Sequence, residues 1–414
     1  MISVEKALSE ILNTIHPLGS EKVNILEGLG RVIGEDIYAP RNIPPKDNSA
    51  MDGYAVRFQD TAPATQEKPV IMEVIEDIPA GKIPSKIVGP GQTARIMTGA
   101  PIPDGANAVV RMEDTEKDGK TVKIFTPVTQ GYDMRYAGED VRQGERIITK
   151  GDILKPADIG MLAALGRSFI PVYQKPLVAI LATGDELVDI DENPGPWKII
   201  SSNSYSLAAL VLECGAIPLQ LGIAKDTRED LLAAFESALR ADIILSSGGV
   251  SVGDYDLVKD IMKEVGNRME FWRVAMKPGK PLAFGNLRGI PLFGLPGNPV
   301  SSMVSFEQFV RPSILKMMGH QNLYRPAVKA ILQEDIELKQ EPRRHFIRAT
   351  VSWEEGIYKA ASTGEQGSGI LKSMVQANGL IVLSEDTVMV KKGTEVSVQL
   401  IDNSVGQRAT PEYL

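Results

Sequence analysis

The chain has 414 residues, 43% of them hydrophobic, and its 45 basic and 53 acidic side chains leave a net charge of −8. That length predicts two to four domains, and 38 glycines with 27 prolines predict globular cores joined by many loops. The acidic balance argues against a nucleic-acid binder, and the single cysteine, Cys214, excludes an internal disulfide and a thiolate metal cluster and fits a reducing cytoplasm.

The opening MISVEKALSEIL has no basic region leading into an apolar core, so it is a helix rather than a secretory signal. No apolar stretch reaches the roughly 18 residues of a membrane span, and His16, His320 and His345 are too scattered for a histidine zinc site. Val4, Ala7, Leu8, Ile11, Leu12 and Ile15 predict a helix over 3–16 that Pro17 stops. A second helical stretch is expected near Ile25–Ile33. From Tyr38 to Arg135, short β-like runs such as PVIMEVIEDI and ANAVVRME, broken by Pro and Gly, predict an all-β module. The run ADIGMLAALG (157–166) reads as a helix starting after Pro156 and ending at Gly166. If it packs back on the first helix, the β module (43–136) is an insertion in a helical domain of residues 1–42 and 137–171.

Residues 172–319 alternate strand-like runs (LVAILAT, AIPLQLG, ADIILSS, MEFWRVA) with helix-like ones (NSYSLAALVLEC, TREDLLAAFESALR, YDLVKDIMKEV). A hairpin turning near Asn286–Gly289 and a long helix from Pro299 to Met318 follow. Asn203 and Thr227 are candidate N-caps. This alternation predicts a three-layer α/β/α domain with a largely parallel sheet. Short strands return over 320–404 and predict a small β-barrel, ahead of a loose tail at 405–414. The fold class is multidomain α+β and α/β.

Three glycine-rich turns follow strand-like runs, where open α/β sheets place ligands. In Thr183-Gly184-Asp185-Glu186, the Thr183 hydroxyl and nearby amides suit an anion, while the adjacent carboxylates suit a metal, a ring with N–H donors or acid–base work; helix capping by Asp185 is the plain alternative. Ser246-Ser247-Gly248-Gly249-Val250-Ser251 lacks dinucleotide and P-loop spacing but offers donors to a phosphate. Asp254 and Asp256, just beyond, suit a divalent cation. Pro296-Gly297-Asn298-Pro299, with Ser301, predicts free amides at a helix start. Lys277 and Lys280 flank a Pro-Gly turn and suit an oxyanion, or are a solvated basic loop. Asp52 most simply closes its own turn. Arg135 and Asp140 read as solvated charges, and Arg343, Arg344 and Arg348 as a basic strand. Cys214 reads as a buried thiol.

Taken together, SAMDGYA (49–55), RIMTGAPIP (95–103), MRYAGED (134–140), ATGDEL (182–187), SSGGVSVGDYD (246–256), MKPGKP (276–281), GLPGNPVS (294–301) and GEQGSG with ANGLIVL (364–383) resemble the molybdopterin molybdenumtransferase family, the MoeA type that includes the gephyrin E domain. The resemblance implies an elongated four-domain homodimer in which the α/β domain binds the pterin and the inserted β module acts as a lid. It implies that molybdate or tungstate is inserted into adenylylated molybdopterin with release of AMP, assisted by a divalent cation such as Mg2+. Asp52, Thr98, Arg135 and Asp140 would then reach the neighbouring subunit's pocket. Glu186 would meet the pterin, and Asp226 with Asp256 (or Asp254) the cation. Lys277 and Lys280 would meet phosphate or molybdate, with Ser301, Arg343 (or Arg344) and Ser368 holding the oxyanion. Two other functions fit parts of the pattern: a pterin-binding scaffold that recruits a partner, and a phosphate-ligand enzyme on a generic α/β fold.

Overall fold

The structure, a computed structural model, describes residues 1–248, 261, 264 and 268–407. The chain divides into two compact units, one of Asn24–Leu29 and Glu35–Ile170, the other of Met1–Val23, Gly30–Gly34 and Pro171–Leu414.

The chain begins with helix α1 (Val4–Thr14), whose Ser3 cap accepts the Lys6 amide at 3.2 Å. Its buried face, Val4, Ala7 and Ile11, belongs to the same apolar core as Phe306, Phe309 and Ile314. The partner expected for it was the helix near 157–166. The observed partner is the α/β core, because the 3–4 spacing supplies an apolar stripe without specifying what covers it.

In the smaller unit six strands form one sheet: β1 (Gly53–Val56), β2 (Val70–Ile78), β3 (Gln92–Ile96), β4 (Ala108–Arg111), β5 (Thr115–Asp118) and β6 (Thr121–Ile124), in the order β4-β1-β3-β2-β6-β5. Side chains alternate across it: Tyr54, Met72, Val110 and Val122 fill one core, while Ala55, Ile78, Ala94 and Val109 fill another. Helix α2 (Pro156–Ala164) ends where Gly166 adopts a φ of +76°. The helix expected near 25–33 is only a 3-10 turn, Ile25–Gly28, capped by the Asn24 side chain on the Leu26 amide at 3.0 Å. A Cβ on Gly28 would lie 2.5 Å from the Ile170 side chain, so the turn packs closely against that residue.

The larger unit carries β7 (Leu177–Thr183), α3 (Ser202–Glu213), β8 (Ile217–Ala224), α4 (Arg228–Ala238), β9 (Ile243–Ser247), β10 (Arg268–Arg273), β11 (Met276–Lys277), β12 (Pro281–Leu287) and β13 (Ile290–Leu295). The sheet order is β8-β7-β9-β13-β12-β10. The first four strands are parallel, and β12 and β10 are antiparallel additions. Val178, Ile180, Leu245 and Phe293 point to the face covered by α1 and by the helices after residue 202 and residue 299. Ala179, Leu181, Ile244 and Leu292 meet Leu231 and Phe235 of α4 on the other face. The result is the three-layer α/β/α domain that the alternation predicts. Of the expected helix at 255–265, only Ile261 and Glu264 are among the described residues.

The long helix expected from Pro299 to Met318 is interrupted: α5 (Pro299–Ser305), a π-helical turn (Phe306–Val310), then α6 (Arg311–Met317). Pro312 has no N–H to bond the preceding turn, which accounts for the widened step before it. Beyond it, β14 (Ala327–Leu332), β15 (Arg344–Glu354), β16 (Ile357–Ser362), β17 (Gly379–Leu383) and β18 (Glu395–Leu400) close a five-stranded barrel, β15-β16-β14-β18-β17 and back to β15. Phe346, Met374 and Leu380 from this region join the α/β core. The strand β11 pairs with β15 in parallel. Of the expected tail at 405–414, residues 408–414 lie outside the described ones.

Candidate functional site

The carboxyl ends of β8, β7, β9 and β13 lie side by side, with Thr183 opposite Ala224, Ala182 opposite Ser247, and Ser247 opposite Leu295. This register places the three glycine-rich turns along one sheet edge. Gly248 is their meeting point. Its amide donates to the Leu295 carbonyl at 3.1 Å, its φ is +99°, and an added Cβ would sit 2.7 Å from the Thr183 carbonyl, while a Cβ added to Gly297 would sit 3.8 Å from the Gly248 Cα. Only glycine fits there. Asn203 ties two of the turns together: its Nδ2 donates to the Ser247 hydroxyl and to the Gly297 carbonyl, both at 2.8 Å. It is therefore not the N-cap expected from sequence; Ser201 occupies that position, while Thr227 does cap α4, accepting the Asp230 amide at 3.2 Å. Among the described residues, the buried Thr183 hydroxyl and Asn203 Oδ1 have no hydrogen-bond partner, which leaves polar groups unspent at this edge. Gly249, Ser251, Asp254 and Asp256 lie outside the described residues.

Three carboxylates gather beside this floor. Asp185 accepts the Asp226 amide at 3.2 Å. Burial, then the charges of Asp185 and Glu186, push the Asp226 carboxyl above its ordinary value. Gly184, at a φ of +142°, leaves room for the Glu186 carboxylate, which a Cβ would approach to 2.5 Å. Asp185 does not cap a helix: the short strand Leu187–Val188 follows it, and α3 begins only at Ser202. Among the described residues no group of three or more His, Cys, Asp or Glu side chains is positioned to hold a metal ion.

A cationic cluster forms where β11 meets β15. Lys277 stands opposite His345 in the register, and its ammonium lies 3.6 Å from Glu341, which also pairs with Arg343. Burial, then Arg343 and Lys339, push the Lys277 pKa down. Burial lowers that of Arg343 as well. His345 is buried with its Nε2 unpartnered among the described residues, and its pKa is lowered by burial, then by Lys277 and Arg343. Arg344 points elsewhere, pairing with Glu5 and, at 3.1 Å, with Glu385. Of the two adjacent arginines, Arg343 is the one beside Lys277. Arg348 is fully buried, donating to Ser373 and the Gly367 carbonyl, and burial pulls its pKa to about 10. Lys280 begins the loop into β12, and its carbonyl accepts the Val274 amide at 2.8 Å. Between the lysines, Gly279 packs so closely that a Cβ would lie 2.7 Å from the Ser305 hydroxyl of α5.

The start of α5 is less open than its sequence suggests. Pro299 occupies its first turn, but the Val300 amide donates to the Ser368 carbonyl at 3.1 Å, and Asn298 makes no side-chain cap. Ser301 is buried there, and Pro296 and Gly297 form the turn from β13. Burial pushes the Cys214 thiol up to about 12, which fits a buried thiol and not a nucleophile.

In the smaller unit, Asp52 does not close its own turn. Its Oδ1 accepts the Thr98 amide at 2.7 Å and the Thr98 hydroxyl at 2.8 Å, and these bonds hold its pKa below the ordinary value. Gly53 is obligatory, since a Cβ would lie 2.0 Å from the Val110 carbonyl. Arg135 pairs with Asn48 across a two-residue ladder, and the Asp140 amide donates to the Ile43 carbonyl at 3.0 Å. All four side chains are exposed or reach the surface of this unit. Sequence reasoning missed Asn203, Glu341 and His345 as site components. The only signal for Asn203 was a polar side chain in the first turn of α3; for the others, no local pattern exists.

Three family models match: the MoeA N-terminal region (domain I and II) over residues 2–166, a probable molybdopterin binding domain over 179–316, and the MoeA C-terminal region (domain IV) over 329–401. The chain is 39% identical over 400 residues to a Mycobacterium tuberculosis protein named molybdopterin molybdenumtransferase 2, covering 95% of this chain and 97% of that one. It is 37% identical over 410 residues to the Bacillus subtilis molybdopterin molybdenumtransferase, covering 98% and 95%. A crystal structure of a molybdopterin biosynthesis MoeA protein from Pyrococcus horikoshii superposes with a TM-score of 0.81 at 36% identity, covering 97% of this chain and all of that one.

Proposed function

We infer the reaction from one premise: the chain belongs to the molybdopterin molybdenumtransferase family and is a transferase of molybdenum cofactor biosynthesis. We propose that it inserts molybdate, or the equally tetrahedral tungstate, into adenylylated molybdopterin and releases AMP. The observation that carries this reading is the pairing, within one unit, of a glycine-built sheet edge with one acidic and one basic cluster. Breaking a phosphoanhydride calls mainly for positioning and charge neutralisation.

The turns at Gly248 and Gly297 bring backbone close to a ligand, and Asn203 keeps them in register. Thr183, Ser247 and Ser301 supply hydroxyls near that floor. Glu186 accepts N–H bonds from the pterin. Lys277, Arg343 and Lys280 neutralise the oxyanion and phosphate, and Ser368 supports the α5 turn. The raised Asp226 carboxyl beside Asp185 fits a divalent cation, Mg2+ by its preference for carboxylate and phosphate oxygen; Asp256 would join it. Such a cation supplies charge neutralisation at the phosphoanhydride. The protein acts as a cytoplasmic homodimer in which Asp52, Thr98, Arg135 and Asp140 serve the neighbouring subunit.

Adenylylated molybdopterin, molybdate and magnesium incubated with the protein are expected to yield AMP in proportion to cofactor formed. No AMP from authentic substrate overturns the reading. Mixed dimers of Asp52→Ala and Glu186→Ala subunits are expected to recover part of the activity that each variant lacks; no recovery removes the shared-subunit element.

A further inference from the structure

Lys277 and Arg343 converge on a single atom. The Lys277 ammonium lies 3.6 Å from Glu341 Oε2, and Nη2 of the Arg343 guanidinium pairs with that same oxygen. Oε2 is buried, while the Glu341 side chain as a whole is 28% exposed. An ammonium and a guanidinium hold any anionic oxygen by the same charge-assisted contacts. The Glu341 oxygen therefore stands where an oxygen of a bound oxyanion would stand.

The cations and the acid are carried differently. Lys277 ends β11, which pairs with β15, and the Arg344 amide, next to Arg343, donates to the Ala275 carbonyl at 2.8 Å. The two cations are thus fixed to a paired ladder. Glu341 belongs to the irregular segment 338–341, between the two-residue strand Ile336–Glu337 and β15. Its carbonyl accepts the Arg343 amide at 2.7 Å, so the backbone is held, and moving the carboxylate aside takes side-chain rotation and breaks no strand.

One carboxylate does not neutralise this cluster. The Lys277 pKa is pushed down by burial, then by Arg343 and Lys339, with Glu341 3.6 Å away. A dianion brings the charge that Glu341 leaves unmatched, whereas a monoanion brings no more than Glu341 already does. A monoanion must also displace a tethered group, whose effective concentration is on the order of millimolar. Exchange at this point therefore favours doubly charged ligands.

We propose that Glu341 is a specificity-determining residue of the oxyanion site: its carboxylate fills the position between Lys277 and Arg343 until a tetrahedral dianion displaces it, and so keeps monoanions out. This rests on the oxyanion role proposed above for Lys277 and Arg343.

The test measures binding of labelled molybdate to the full-length chain by equilibrium dialysis, alone and with sulfate or nitrate as competitor. Glu341→Gln keeps the shape of the side chain and removes its charge. It is expected to bind molybdate at least about tenfold more tightly and to shrink the advantage of sulfate over nitrate by a similar factor. Glu341→Asp keeps the charge and should keep that advantage. Without oxyanion the glutamine variant should melt below wild type, because Lys277 and Arg343 lose their shared counter-ion, and it should gain more than wild type when molybdate is added. Circular dichroism verifies each fold, and Glu341→Ala serves as a second neutral variant. A carboxylate that only braced its loop would give weaker molybdate binding on removal. Molybdate binding that the neutral variants leave unchanged or weaken, or a sulfate advantage that survives in them, overturns the proposal. Lys277→Met separates the two readings. If it leaves molybdate binding unchanged, the oxyanion role fails and the proposal with it; if it weakens binding while Glu341→Gln does not tighten it, the proposal alone fails.

Discussion

The acidic and basic clusters of the larger unit solve opposite problems with opposite exposure. Asp185, Glu186 and Asp226 lie near the ends of β7 and β8, and burial, then the charges of Asp185 and Glu186, raises the Asp226 carboxyl. Lys277, Arg343 and His345 are more enclosed, and Lys277 and Arg343 share one counter-ion, Glu341. The first cluster is short of positive charge. The second holds more positive charge than Glu341 offsets. A bound polyanion with its cation supplies both deficits, whereas a ligand of one sign supplies only one.

The comparison breaks first at Lys277. Lys277→Met removes a charged donor while leaving Glu341 paired with Arg343, so the fold is expected to persist. Molybdate affinity should fall about 10- to 100-fold, the loss of a hydrogen bond to a charged group at about 1.5–3 kcal/mol. Equilibrium dialysis of labelled molybdate checks this; unchanged binding would remove Lys277 from the oxyanion site.

Asp226→Asn tests the acidic side. Asp226 holds its proton to a higher pH when folded than when unfolded. Its contribution to stability is therefore present at low pH and lost as pH rises through that raised value. At neutral pH without divalent ions, the asparagine variant should melt at or above the wild-type temperature. Adding magnesium should raise the wild-type melting temperature and leave the variant's unchanged. An equal magnesium response in both would place the cation elsewhere.

The floor common to both clusters is tested by Asn203→Ala. It frees the Ser247 hydroxyl and the Gly297 carbonyl together and should cost about 1–3 kcal/mol, read by urea denaturation, with weaker pterin-nucleotide binding at full occupancy of the fold.

The smallest effect belongs to His345. Its folded pKa is lowered, so the unfolded chain binds the extra proton first, and stability is lost as pH falls through the ordinary histidine range. His345→Gln should flatten the fall in melting temperature between pH 7 and about 5.5, near the ordinary histidine pKa of about 6.5. A parallel fall in both proteins would show that another group sets the slope.

Much of this architecture was readable from the chain because it rests on local periodicity. The alternation over 172–319 and the short strands after 320 gave the α/β domain and the barrel, and Gly166 and Pro299 marked real helix boundaries. What stayed hidden depended on distant partners. The apolar stripe of α1 did not reveal that Phe306 and Phe309 would cover it. Pro312 was visible, yet the helical pattern on both sides outweighed it. The glycine turns were visible as turns, but the bond from Asn203 to Gly297 spans 94 positions. His345 acquires its neighbours only because β11 pairs with β15. The motif around Asp52 looked like self-capping, since nothing local announces Thr98 as its partner.

The most direct measurement is AMP release from adenylylated molybdopterin, titrated separately with molybdate and with magnesium, in wild type, Lys277→Met and Asp226→Asn. Each variant is expected to raise the half-saturation of its own ion by at least about tenfold, or 1.4 kcal/mol, and to leave the other near its wild-type value. Equal shifts for both ions in both variants would contradict a division of labour between the two clusters.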